Sequence, residues 1–265
     1  QDYILYIDTS GDALYQRGNR KASIEAPLRE NLAAGVIQLT GWQVGEPLLD
    51  PMCGSGTFLL EAVMMALNIA PGLNRGFGFE RLKNFESDTW KKVKNAALKN
   101  VKPVTFQKIY GSDIDLRAVR IAKRNLEEAG FLEAVQLSQF DVTEVPPAAD
   151  HGVLVANPPY GVRIGEDEDL TALYPKLGEA LKRKFAGWNT YFLTNDLRMP
   201  KLMRLSTSKK TPLFNGPLEC RLFEIKMVAG SNRKEKNMIQ APVNQAKDKP
   251  VGLHSKVSYK DVKPL

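Results

Sequence analysis

The chain has 265 residues, 43% of them hydrophobic, with a formal charge of +7. That is enough apolar surface for one sizeable core, and no apolar run reaches the ~18 residues of a membrane span. Two cysteines in unlike contexts (Cys53, Cys220) and two isolated histidines (His151, His254) argue against a disulfide framework and against a metal site, and fit a reducing, cytoplasmic compartment.

The start, Gln1-Asp2-Tyr3, has neither an initiator Met nor a signal-peptide pattern, as expected of a piece of a longer protein. Residues 3–7 read as a short strand, followed by a Ser-Gly-Asp turn and the basic stretch Arg17-Gly18-Asn19-Arg20-Lys21. Ser23 can cap a helix with Pro27 near its first turn, and Leu28, Leu32, Val36 and Leu39 lie on one helical face. A short strand at 47–49 runs into Asp50-Pro51-Met52-Cys53-Gly54-Ser55-Gly56-Thr57, and a helix is predicted over 58–69.

Residues 71–104 read as an insertion rich in Lys and Asn, helical around 89–98. A strand at 106–110 leads to Gly111-Ser112-Asp113-Ile114-Asp115, and a helix over 116–129 stops at Gly130. Further strands are predicted at 134–140, ending at Asp141-Val142, and at 153–156, ending at Asn157-Pro158-Pro159-Tyr160. An acidic loop, a helix carrying Leu170, Leu173, Leu177, Leu181 and Phe185, and late strands at 190–194 and 222–228 complete the pattern, the last as part of a hairpin. Strand and helix alternating with short connections predict an α/β fold with a doubly wound, mostly parallel sheet. From residue 231 onward the pattern dissolves into Lys, Asn, Gln and Pro, which reads as a flexible basic tail.

Gly54-Ser55-Gly56 between strand and helix lets backbone approach a ligand closely, with helix N-terminal amides facing it. A dinucleotide fingerprint would need a third glycine where Leu59 stands, and no Gly-Lys-Ser/Thr is present for a nucleoside triphosphate. Asp50 just before the loop would repel a phosphate and attract a sulfonium or ammonium group, which favours S-adenosylmethionine over NAD. Asp113 can accept both ribose hydroxyls, and Asp141 can either accept an adenine amino group or cap the next turn. Cys53 has no neighbouring His to lower its pKa and reads as a small packed side chain.

Asn157-Pro158-Pro159-Tyr160 places an amide acceptor, a rigid carbonyl and an aromatic face at a strand's C-terminal mouth. Asn157 and the Pro158 carbonyl can each accept one N–H of a base's exocyclic amine, aiming its lone pair at a methyl donor. Tyr160 can stack on the base taken out of its helix.

Together, Asp50 to Thr57 and Asn157-Pro158-Pro159-Tyr160-Gly161 resemble the amino-directed methyltransferases that use S-adenosylmethionine. With Arg17-Gly18-Asn19-Arg20, Ala26-Pro27-Leu28-Arg29-Glu30, Ala70-Pro71-Gly72-Leu73 and Asn215-Gly216-Pro217-Leu218-Glu219-Cys220, the chain is similar to the bacterial 23S rRNA guanine-N2 methyltransferases. The resemblance covers about residues 3–228 and departs at Asn19, where the family more often has Tyr. It implies a Rossmann-like class I fold, with 1–22 as the lead-in from an upstream RNA-binding THUMP domain, 23–230 as the methyltransferase domain and 231–265 as the tail. It also implies cofactor contacts from Asp50, Met52, Cys53, Gly54, Gly56, Thr57, Asp113, Ile114, Asp141, Val142 and Asn157, and a catalytic role for Asn157, Pro158 and Tyr160.

The net charge favours a polyanionic partner without saying which nucleic acid, and the resemblance implies ribosomal RNA. Arg17, Arg20, Lys21 and Arg163 are candidate RNA contacts, as are the Arg117, Arg120, Arg124 face and the 201–210 region. A monomer without metal or membrane association is expected. The competing readings are an N6-adenine methyltransferase on DNA or RNA, since the tetrapeptide suits any ring amino group, and a non-catalytic RNA-binding scaffold.

Overall fold

A computed structural model describes residues 3–15, 17, 28–159 and 166–228. Seven strands form one sheet in the order β3-β2-β1-β4-β5-β7-β6. They are β1 (Leu48–Asp50), β2 (Ile109–Asp113), β3 (Val135–Gln139), β4 (Gly152–Ala156), β5 (Trp188–Thr194), β6 (Lys209–Asn215) and β7 (Leu218–Lys226). The first five are parallel, and β7 runs antiparallel to both of its neighbours. The helices are α1 (Glu30–Thr40), α2 (Thr57–Ala66), α3 (Ser87–Lys99), α4 (Leu116–Glu128), α5 (Glu166–Lys184) and the single turn α6 (Met199–Leu202).

Both faces of the sheet are covered, which is why β1 and β4 are buried at every position. Successive residues enter opposite cores: Leu48 packs with α1, α2 and α4, while Leu49 packs with α5 residues such as Leu177 and Leu181. The first core is built from Val36, Ile37, Leu59, Val63, Ala122 and Leu126, and the second from Tyr174, Phe185, Trp188 and Phe192.

Several predicted boundaries move. Residues 3–7 pair with no strand among the described residues, and all five side chains are exposed. The second strand, predicted from 106, starts three residues later, at Ile109. Gly111 and Ser112 lie inside β2, which ends at Asp113, and a Cβ at Gly111 would run into Leu59 and Leu137. The hairpin partner of β7 is β6, missed because it is an outer edge strand with Lys209, Lys210 and Pro212 on it. Ser23, Pro27 and the predicted tail lie outside the described residues.

Candidate active site

The strand order reverses between β1 and β4, and in an open α/β sheet the crevice at that reversal, beyond the carboxyl ends of the strands, is where ligands bind. The register pairs Leu48 with Val153 and Leu49 with Leu154, so Asp50 stands level with Val155 and Asn157 follows two residues on. Strand spacing and rise put the two backbones roughly 8 Å apart. The acid and the amide therefore share one crevice.

The loop leaving β1 is held from three sides. Cys53 donates its backbone N–H to the Ser112 carbonyl at 2.9 Å, and Gly54 donates to Asp113 Oδ2 at 2.9 Å. Asn125 on α4, fully buried, donates its side-chain N–H to the Ser55 carbonyl at 3.0 Å. Gly54 and Gly56 both have left-handed φ, +53° and +83°. A Cβ on Gly56 would lie 3.2 Å from Ala122 Cβ, whereas one on Gly54 would project into open space. Gly56 thus serves packing, and Gly54 leaves a bare backbone facing the crevice. Thr57 begins α2 and is buried, so the amides of the first turn point back at the loop.

Asp50 is only 1% exposed and accepts the Met52 backbone N–H at 3.2 Å. Burial pushes its carboxyl well above the usual range, and Asp113 nearby pushes it further. No described basic side chain pairs with it. The Asp113 carboxyl is raised chiefly by burial, against the N–H groups of Asp115 and Gly54, which pull it down. The Cys53 thiol is raised strongly by burial and then by Asp50 and Asp113, so it stays protonated and is no nucleophile.

Ile114, just past Asp113, is 64% exposed, an apolar face placed at the crevice rim. Asp141 uses Oδ1 to accept from both the backbone N–H (2.8 Å) and the hydroxyl (2.7 Å) of Thr143. The turn-capping alternative therefore holds for one oxygen, and Oδ2 has no partner among the described residues. Val142 is buried beneath it, and Met52 packs beside the same core. Of the tetrapeptide, Asn157 is half-buried, Pro158 buried and Pro159 exposed, while Tyr160 lies outside the described residues.

Arg17 does not face solvent as a nucleic-acid contact would. Its guanidinium pairs with Glu61 of α2 at 2.5 Å, and its backbone N–H donates to Glu30 of α1 at 2.7 Å. Glu61 is 2% exposed, and burial raises it to about 7 against the pull of Arg17, with Glu30 adding to the rise. Arg117 and Arg124 are exposed but paired with Asp115 and Glu128. Arg20, Lys21 and Arg163 fall outside the described residues. Glu61 and Asn125 were not singled out from the sequence. Each was legible as one polar residue on an otherwise apolar helical face.

The order β3-β2-β1-β4-β5-β7-β6 with β7 reversed, and an acid-rimmed glycine loop at its switch point, define a Rossmann-like methyltransferase domain. The chain belongs to the family described as RMKL-like, methyltransferase domain, which matches residues 17–224. It is 42% identical over 237 residues to the ribosomal RNA large subunit methyltransferase K/L of Shewanella baltica, an alignment covering 87% of this chain and 33% of that protein. The protein of the same name from Psychromonas ingrahamii is 44% identical over 224 residues, covering 82% and 30%. The crystal structure of SMU.472 complexed with SAH superposes with a TM-score of 0.77 at 37% identity, covering 84% of this chain and 58% of that one. The chain thus spans about a third of the length of the curated relatives it matches.

The residues at the crevice suit S-adenosylmethionine. A buried acid without a described cation, a glycine whose missing Cβ leaves open space, and an exposed Ile beyond a ribose-type acid are what a sulfonium, a methionine backbone and an adenine ring would need.

Proposed function

We propose that this chain transfers a methyl group from S-adenosylmethionine to the exocyclic N2 amino group of a guanine in large-subunit (23S) ribosomal RNA. The observation that carries the reading is the adjacency of Asp50 and Asn157 across the paired strands β1 and β4. Bound in the crevice, the cofactor supplies a methyl carbon made electrophilic by its sulfonium. Asp50 and the loop from Met52 to Thr57 hold the methionine end, Asp113 the ribose, and Ile114, Asp141 and Val142 the adenine. Asn157 Oδ1 and the Pro158 carbonyl accept the two N–H bonds of the acceptor amine, keeping its nitrogen near sp3 with the lone pair directed inward. Tyr160 supplies the stacking face that the extruded base loses from its helix.

Neutral acceptors suit this task, because a strong base beside a sulfonium would be held by charge attraction instead of aiming the amine. The amine's proton becomes acidic as the new N–C bond forms and leaves to water, so no histidine is needed. Arg20, Lys21 and Arg163 are proposed RNA contacts, with Arg17 placing the segment that carries the first two.

A ribosomal RNA substrate places the protein in the cytoplasm, and a monomer is the proposed state. No described helix is long and apolar enough to cross a membrane. No cluster of metal-ligating side chains occurs among the described residues.

The test is methyl transfer from labelled S-adenosylmethionine to transcribed large-subunit rRNA, followed by nucleoside analysis. N2-methylguanosine is the expected product. N6-methyladenosine would replace the guanine assignment with the adenine one. Failure to bind S-adenosylhomocysteine at near-millimolar ligand in calorimetry would leave only an RNA-binding scaffold.

A further inference from the structure

Residues 71–108 carry nine basic side chains against three acidic ones, a net of +6. This segment lies outside the doubly wound core. It leaves α2 at the end opposite the glycine loop, where Lys102 donates its backbone N–H to the Leu67 carbonyl at 2.9 Å. The ten residues of α2 therefore place it roughly 15 Å from the crevice. Its helix α3 is 13 residues long and has no buried residue.

An isolated helix so exposed gains nothing from apolar side chains on its surface, yet this one presents them beside a ring cluster. Phe77 and Phe79 stack at 5.1 Å, and Trp90 of α3 meets both edge-on at 5.7 and 5.0 Å. In front of Phe79, Phe85 and Trp90 lies a cavity of about 310 Å³, flanked by Leu82, Thr89 and Val93. That is the low end of the range that holds small ligands. Cations interleave with the rings: Lys94 sits 5.0 Å over Trp90 and Arg75 5.1 Å over Phe77. Lys83 and Lys92 stand exposed around them, as does Lys91, 3.5 Å from the Asp88 carboxylate in a solvent-exposed pair. The Trp90 indole N–H is buried without an acceptor. Aromatic faces interleaved with lysines form a platform for unpaired bases, the rings stacking a base and the ammonium groups holding flanking phosphates.

We infer that the 71–108 insertion is a second RNA-docking site, which takes an unstacked base in the Phe79–Phe85–Trp90 cavity and the adjoining phosphates on Lys83, Lys91 and Lys92. The inference rests on the RNA substrate proposed above and extends it, because it gives the substrate strand a hold about 15 Å from the reacting base. A protein partner would be the competing occupant, but a net charge of +6 on this one segment selects a polyanion.

Trp90 reports on this site directly, since Trp42 and Trp188 are buried at 7% and 1% exposure. Single-stranded RNA of about a dozen nucleotides should quench tryptophan emission in the intact chain, and the quench should vanish in Trp90→Phe. The combined variant Lys83→Ser, Lys91→Ser, Lys92→Ser should weaken RNA binding at least ~10-fold and lower the slope of log affinity against log salt by about 2, at ~0.7 per single-strand phosphate contact. An equal charge loss on the opposite face of the sheet, Lys176→Ser, Lys182→Ser, Arg183→Ser, should do neither. Undiminished affinity in the first variant, or a quench that survives in Trp90→Phe, overturns the inference. Methyl transfer to rRNA and S-adenosylhomocysteine binding are read separately. Their loss in the unmodified chain would instead remove the functional reading beneath it.

Discussion

The Asp113 carboxylate accepts the Gly54 backbone N–H at 2.9 Å through one oxygen and the Asp115 N–H at 3.0 Å through the other, so the end of β2 clamps the glycine loop leaving β1. The acid that would hold a ribose also shapes the loop that would hold the methionine. Replacing it removes both functions from the cofactor side of the crevice. Asp113→Ala should weaken S-adenosylhomocysteine binding by about 10- to 100-fold, since hydrogen bonds to a charged group contribute ~1.5–3 kcal/mol. Calorimetry measures this. Turnover at saturating cofactor should fall much less than affinity.

Asn157 should show the reverse. Its side chain is assigned to the acceptor amine as charge develops there, so it acts on the transition state and hardly on cofactor binding. Asn157→Ala should lower kcat by about 10²–10³-fold, the range for losing one preorganised polar group, with the cofactor Kd nearly unchanged. Equal losses of cofactor affinity in the Asp113 and Asn157 variants would mean that the two roles are misassigned.

Gly54 and Gly56 should separate in the same way. Gly56→Ala combines a φ of +83° with a Cβ 3.2 Å from Ala122, a residue fixed on α4. A destabilisation of about 1–3 kcal/mol is expected, visible as a fall in Tm. Gly54→Ala has only its φ of +53° to overcome, and nothing lies within 4 Å of its Cβ. It should unfold at a higher temperature than Gly56→Ala, yet lose more cofactor affinity, because its methyl enters the space assigned to the ligand.

Glu61 gives a pH dependence. Its folded pKa is raised from 4.5 to about 7. Between those values the native state holds a proton that the unfolded state has lost, so stability falls as pH rises across that window and levels off above about 7. Asp50 and Asp113 are raised as well and add slope of the same sign. Glu61→Gln should flatten the part of the decline nearest neutrality, by at most about 3 kcal/mol for a shift of this size. Denaturant unfolding at pH 5, 6, 7 and 8 would reveal it. An unchanged slope in the variant would falsify the raised pKa.

The parts of the site that the sequence made legible are those written in consecutive residues. Asp50 to Thr57 and Asn157 to Pro159 each follow a continuous apolar run, so the strand and the chemistry at its mouth are read from one local stretch. Where a residue's meaning depended on a partner far along the chain, it was hidden or misread. Arg17 looked like part of a basic surface stretch, and only Glu61, 44 positions away, shows it turned inward. The reason for a glycine at Gly111 was hidden in the same way, since it is Leu59 on another element. The 3–7 segment has the apolar residues of a short strand yet forms no strand among the described residues.

The sequence by itself determined the α/β class, the acid-rimmed glycine loop and the aryl-amine chemistry of the tetrapeptide, because periodicity and short motifs are local properties of the chain. Only the tertiary structure decided that β1 and β4 lie side by side, that β7 reverses between β5 and β6, and that Asn125 and Asp113 converge on one loop. Those facts depend on which strands pair and which helical faces meet, and pairing is settled by the burial of surfaces distant in sequence. The same holds for the ring cluster and lysines of the insertion. Its charge can be counted from the chain, but the cavity between Phe79, Phe85 and Trp90 exists only once the helix folds back on the turn before it.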